Sequence, residues 1–174
     1  MEENRAPGSA KQKKRPYLLR LEQNMLPLRP RYHVYRDGMN PLYTIEGDFA
    51  RHTYSVCRAG EEILVLRRKY AKFLPEYTVA EDGREIARVK KGLFRSMSGR
   101  VYDKTLEIRV GFESYVFDIF VGGRKLCQIQ QGSNGVCDCD TIRMYDGTME
   151  EIAVALAVIC DRASDKADSE RYGN

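Results

Sequence analysis

Ile152-Ala153-Val154-Ala155-Leu156-Ala157-Val158-Ile159-Cys160 is a run of nine residues with no polar break, and its reading decides the fold. Thr148-Met149-Glu150-Glu151 precedes it in the form of a capping box, in which the Thr hydroxyl accepts from free backbone N–H groups and the Glu reaches back. Asp161-Arg162 closes it. These signals predict a helix over residues 149–162. A surface helix shows a polar stripe, whereas a helix apolar all round is buried on every side. A bilayer span needs about 20 residues, so this helix is too short to cross a membrane. No transmembrane segment is expected elsewhere. The small alanines let neighbouring backbone approach closely, and that neighbour has to come from the chain upstream.

The upstream chain is repetitive. An aromatic residue, any residue, a β-branched residue, three of any kind and then Gly recur as Tyr32-His33-Val34…Gly38, Tyr54-Ser55-Val56…Gly60, Tyr77-Thr78-Val79…Gly83 and Phe117-Asp118-Ile119…Gly123. Residues two apart share one face of a strand, and Gly supplies the positive φ of a tight turn. Each copy therefore predicts a β-hairpin. After three of the glycines, apolar residues follow at the third and sixth positions: Ile63 and Leu66, Ile86 and Val89, Leu126 and Ile129. The first copy carries one extra residue, which gives Leu42 and Ile45. A step of three does not fit a period of two. The returning strand either carries a bulge or packs on both faces. Leu106, Ile108 and Val110 alternate with Glu107 and Arg109 as a half-buried strand, and residues 140–145 predict one more. The total is roughly ten to twelve strands, too many for a flat open sheet, which favours a barrel or sandwich.

Phe73-Leu74-Pro75-Glu76-Tyr77-Thr78-Val79 followed by Gly83-Arg84-Glu85-Ile86-Ala87-Arg88-Val89-Lys90-Lys91 resembles the LURP-one-related family. So do Leu42-Tyr43-Thr44-Ile45-Glu46-Gly47-Asp48-Phe49 and the closing Ala155-Leu156-Ala157-Val158-Ile159-Cys160-Asp161. The resemblance covers roughly residues 30–162. It implies a fold similar to the tubby C-terminal domain and the phospholipid scramblases: a mainly β, closed barrel of about twelve strands around a central hydrophobic helix. The chain departs from the family at Gln130-Gln131, where earlier units end in basic residues, and at Gly132–Asp140, rich in Gly and Cys instead of aromatic. The domain reading is a disordered basic tail over residues 1–16, one barrel domain over 17–163 and a polar C-terminal tail over 164–174.

Charge narrows the function classes. The chain carries a formal +4, and most of it lies in the tail, where Arg5, Lys11, Lys13, Lys14 and Arg15 face only Glu2 and Glu3. The tail reads as a solubilising segment, although charge alone would also draw it to a membrane or nucleic acid. The near-neutral body weighs against a nucleic-acid binder, which shows a basic face on the fold itself. Lys11–Arg15 is followed by Tyr17-Leu18-Leu19 and then by Arg20 and Glu22, which is no export signal. Five cysteines without such a signal read as reduced thiols in a cytoplasmic protein.

Catalytic chemistry finds little support. His33 and His52 are the two histidines, each in or beside a strand repeat, and no phosphate loop, dinucleotide fingerprint or Gly-x-Ser-x-Gly occurs. Cys137-Asp138-Cys139 with Cys127 offers three thiolates, but zinc sites use four ligands at spacings such as Cys-x2-Cys, and no second pair exists. No catalytic residue, metal or cofactor is therefore expected, and Cys160 reads as a small core residue. The best functional lead is basic. Arg67, Arg68, Lys69 and Lys72 end one hairpin, and Arg88, Lys90 and Lys91 end the next. If the hairpins are neighbours, these cations gather on one rim suited to anionic lipid head groups or to a protein partner; a solvated edge that resists strand aggregation is the plain alternative. The expected function is thus a non-enzymatic binding module. A barrel that takes a small ligand, or does chemistry, in its mouth is the competing reading.

Overall fold

The structure is a computed structural model that describes residues 15–24, 28–69, 74–92, 96–111, 116–132 and 139–164. The expected tails fall outside these residues apart from Arg15, Pro16 and Ser164, and so do Lys72 and Cys137. Twelve strands follow one another: β1 (Tyr17–Asn24), β2 (Arg31–Tyr35), β3 (Tyr43–Gly47), β4 (Thr53–Arg58), β5 (Glu61–Lys69), β6 (Glu76–Glu81), β7 (Arg84–Lys91), β8 (Met97–Val101), β9 (Lys104–Val110), β10 (Val116–Val121), β11 (Arg124–Gln130) and β12 (Cys139–Met144). A short 3-10 turn, Gly147–Met149, leads into helix α1 (Glu150–Ala163). Every strand pairs antiparallel with its neighbours in sequence, and β1 pairs with β12 to close the barrel.

The period-two pattern sorts the residues. In β10, Phe117, Ile119 and Val121 point inward and are buried, while the residues between them face out and are partly exposed. The inward residues of the strands form one core with α1, whose residues Ile152 through Cys160 are all buried. The fold expected from the repeats and the helix is the one observed.

The three-residue spacing resolves as a bulge. The β4–β5, β6–β7 and β10–β11 ladders each shift register on the returning strand, leaving Ile63, Ile86 and Leu126 as the extra residue. These are the three apolar positions that follow the glycines. The turns before them are tight. Ala59-Gly60, Asp82-Gly83 and Gly122-Gly123 all take positive φ, from 47° to 85°, which matches the right-handed twist of the strands.

The capping box is a correction. Thr148 lies inside the 3-10 turn, and the residue before α1, Met149, makes no side-chain cap. Asp146 takes the capping role instead. Its carboxylate accepts from the Thr148 backbone N–H at 3.0 Å and from the Thr148 hydroxyl at 2.7 Å. The tighter turn ahead of the helix moves the free N–H groups two residues upstream of where a plain α-helical start would leave them.

Candidate functional site

The barrel has two mouths, one where α1 begins and one where it ends. At the first, Glu150 is held by side chains from β1, β3 and the connection that follows β2. The Tyr17 hydroxyl donates to one carboxylate oxygen and the Tyr43 hydroxyl donates to the other at 2.8 Å. Arg36 lies 3.8 Å from the same carboxylate and 4.0 Å over the Tyr17 ring. Arg58 pairs with Glu151 at 3.3 Å. Burial, and after it the hydrogen bond to Glu150, pushes both tyrosines well above the ordinary phenol range. These groups border an open hollow of about 910 Å³ that also meets Arg15 and Lys104. Glu150 and Glu151 are engaged by these side chains, and the network pins the start of the helix into the barrel.

The second mouth is filled by the aromatic residue of each repeat. Tyr32, Tyr54, Tyr77 and Phe117 all start their strands here and point inward. Tyr32 and Tyr54 pack with ring centres 6.4 Å apart, and the Tyr32 hydroxyl donates to Asp161 at the end of α1 at 2.8 Å. Burial would lower the Arg162 guanidinium, but Tyr32, Tyr54 and Asp161 outweigh it and hold it fully charged.

The predicted basic residues divide by strand direction. Arg67 and Lys69 on β5, and Arg88 and Lys90 on β7, point outward. They sit in two cross-strand rows through β6: Arg67–Thr78–Arg88 and Lys69–Glu76–Lys90. Arg68 and Lys91 belong to the inward set, in register with Tyr77 and Met97. Arg68 is partly buried, with its guanidinium 6.0 Å from the Tyr77 ring centre. The expected single rim is therefore an outer wall patch of four residues, and Lys72 lies outside the described residues.

The bulge at Ile86 also decides the charge state of this patch. Residues three apart in a strand normally face opposite ways, but the extra residue turns Glu85 and Arg88 to the same side. Arg88 then makes a two-armed contact with Glu85 at 2.7 and 3.0 Å and a further pair with Glu76 at 3.3 Å. The Arg88 hydrogen bonds hold the Glu85 carboxyl below its usual range, with Lys69 and Arg100 adding to the effect. Arg67, Lys69 and Lys90 remain exposed without an ion pair among the described residues. Elsewhere the wall is neutralised by Arg31–Glu46, Arg109–Glu107 and Lys125–Asp118 pairs.

Two cations at the second mouth escape a sequence reading. Arg29 stacks 4.0 Å over the Phe49 ring, and exposed Arg51 takes φ of 57° in the same connection as Phe49. Neither lies in a repeat. The available signal was an aromatic residue, Phe49, inside a turn rather than a strand. His33 lies on β2 with its ring tilted toward Tyr35, and His52 donates its backbone N–H to Asp48. Among the described residues no group of three or more His, Cys, Asp or Glu is placed to hold a metal ion.

The family model for LURP-one-related proteins matches residues 18–161. The chain belongs to the LURP-one-related family. A search of curated proteins finds no match. The match runs from β1 almost to the end of α1, so it takes in the whole closed barrel together with the helix that fills it. In this LURP-one-related barrel no helix is long and apolar enough to cross a membrane among the described residues.

Proposed function

We propose that this LURP-one-related barrel is a non-enzymatic binding module that takes an anionic lipid head group on Arg67, Lys69 and Lys90. The observation that carries the reading is the placement of these three cations, close together near one mouth and unpaired among the described residues, while Arg31, Arg109 and Lys125 elsewhere on the wall are paired with carboxylates. Screening weakens distant charges but not those in direct contact with a phosphate, and Lys and Arg donate well to phosphate oxygens. The helix fills the interior, and the Glu150 and Glu151 contacts hold its start at the other mouth, which supports a surface binder over a barrel with internal chemistry. A cytoplasmic location fits the same reading, because anionic lipids concentrate on the cytoplasmic leaflet.

The test is co-sedimentation with phosphatidylcholine vesicles containing one-fifth phosphatidylserine. Lys11, Lys13, Lys14 and Arg15 are first replaced by Gln so that the tail contributes nothing. Each basic residue near an anionic surface is worth about 1 kcal/mol. Replacing Arg67, Lys69 and Lys90 by Gln is therefore expected to weaken binding by roughly two orders of magnitude, with little change in melting temperature. If the tail-neutralised parent ignores these vesicles at low salt, the patch is a solvated edge and a protein partner replaces the lipid.

A further inference from the structure

The connections at the mouth where α1 ends carry three exposed apolar side chains. Leu28 between β1 and β2 is 88% exposed, Phe49 between β3 and β4 is 64% exposed, and Leu74 between β5 and β6 is 37% exposed. Each is separated from the next by two strands, roughly 10 Å along the rim. Their backbones are held in place. Pro30 accepts from the Gly47 N–H at 2.8 Å, His52 accepts from the Arg68 N–H at 2.7 Å and Pro75 accepts from the Lys91 N–H at 3.1 Å. The chain within one to three residues of each of these side chains is thus tied to the barrel at Pro30, His52 and Pro75, while Leu28, Phe49 and Leu74 are exposed.

Cations accompany these tips. Arg29 follows Leu28 and lies over the Phe49 ring, and Arg51 sits two residues after Phe49. Lys69 and Lys90 come from the last residues of β5 and β7 at the same mouth, with Arg67 roughly 7 Å further up the wall. The opposite mouth mixes the two signs: its connections contribute Asp37, Asp82, Asp103 and Asp146 with Arg36, the adjoining strand ends add Arg58, Arg84, Lys104 and Arg124 beside Glu61 and Glu81, and Met39, Tyr102 and Tyr145 are its exposed apolar residues.

We infer that the barrel docks end-on to an anionic bilayer through this mouth, with Leu28, Phe49 and Leu74 entering the interface and the cations behind them meeting lipid phosphates. The inference rests on the head-group reading above and adds an orientation and an apolar contribution. Exposed apolar side chains rimmed by cations mark a membrane-contact face, aromatic rings settle at head-group depth, and apolar burial combined with charge attraction sets the strength of interfacial binding. The ion-paired outer wall is unsuited to a hydrocarbon environment, so the contact is peripheral.

The chain contains no Trp, which makes a single reporter possible. Phe49→Trp in the full chain is expected to blue-shift its emission on phosphatidylserine vesicles and to be quenched by bromine-labelled acyl chains, while Met39→Trp at the other mouth is expected to show neither. Replacing Leu28, Phe49 and Leu74 together by Ser is expected to weaken vesicle binding at least tenfold while preserving the melting temperature, and to remove the part of binding that survives high salt. If the parent binds these vesicles and the triple Ser variant binds equally, end-on insertion is wrong and the head-group patch stands alone. If the parent does not bind at low salt, both readings fall. A lipid-free dimer in sedimentation velocity that dissociates in the triple Ser variant assigns the face to a second copy and overturns the inference.

Discussion

Leu156 lies at the centre of α1 with no exposed surface, walled in by strands on every side. An aspartate there is a buried unpaired charge, a cost of several kcal/mol against a domain stability of about 5–15 kcal/mol. Leu156→Asp is expected to abolish folding. Leu156→Ala should still fold and lose about 2–5 kcal/mol in urea denaturation. A soluble, cooperatively melting Leu156→Asp protein would mean that the helix is peripheral. Tyr17 and Tyr43 make a second prediction. Their folded pKa values lie above the unfolded value of about 10, so the stability they confer is complete below that pH and is lost as pH rises through the folded values. Neither should ionise with the exposed tyrosines in an ultraviolet titration. Glu150→Gln removes the carboxylate charge but not the burial, which is the larger cause, so both should titrate earlier but still late. Titration unchanged by Glu150→Gln would remove the carboxylate from the account.

At the scale of elements, the bulges control what the outer wall does. Lys125 and Gln128 lie three apart across the bulge at Leu126, and both reach Asp118 on β10, each at 2.8 Å. Burial raises the Asp118 carboxyl, but these two contacts outweigh it and hold it below its usual range. A lowered carboxyl stabilises above its unfolded pKa, and that contribution is lost as pH falls through the folded value. Asp118→Asn is expected to cost up to about 1 kcal/mol at pH 7, and the gap to the parent should close in acid. A gap that is constant with pH would mean the carboxylate charge is irrelevant. Glycines divide in the same structural terms. Gly83 takes φ of 78° with open space around it, so Gly83→Ala adds only backbone strain, about 1–2 kcal/mol. Gly99 on β8 faces β7 so closely that a Cβ would overlap the Arg88 carbonyl, which is backbone and cannot rotate away. Gly99→Ala must separate two strands of a closed barrel and is expected to be the more damaging, by denaturant midpoint.

For the whole molecule, closure leaves no free sheet edge, and the helix cannot leave without opening the barrel. Cys127 and Cys160 are enclosed, whereas Cys57 and Cys139 are partly exposed. Burial pushes the Cys127 thiol up to about 12 and Cys160 well above its ordinary range, so both stay protonated at neutral pH. Under native conditions a thiol reagent is expected to modify Cys57 and Cys139 first, and to reach Cys127 and Cys160 only at the rate set by global opening, accelerating with urea. Labelling of Cys160 as fast as Cys57 would reveal local opening of the helix. Elemental analysis of protein purified under reducing conditions is expected to find no stoichiometric zinc.

Local patterns carry a large part of this account. The unbroken apolar run from Ile152 to Cys160 identifies the buried helix, and the aromatic-to-Gly repeat identifies the hairpins, because strand alternation and turn φ depend on residues adjacent in sequence. The step of three after each Gly is legible as an anomaly, but a bulge and two-sided packing give the same spacing, and only the partner strand separates them. The start of α1 is not legible at Thr148, because a 3-10 turn, which Asp146 caps, has no distinct signal in the residues that form it. The basic patch is legible as charge but not as a surface. Strand direction sends Arg67 outward and Arg68 inward, and the bulge at Ile86 brings Glu85 onto Arg88, leaving Arg67, Lys69 and Lys90 unpaired among the described residues. The sequence by itself thus determined the buried helix, the four hairpins and the strands near 106–110 and 140–145, since these are settled by neighbours along the chain, whereas β1, which closes the barrel, and β8 carry no repeat and are not legible in it. The tertiary structure alone decided which charges meet, and which tips stand together at one mouth, because closing twelve strands places Leu28, Phe49 and Leu74 on a common rim.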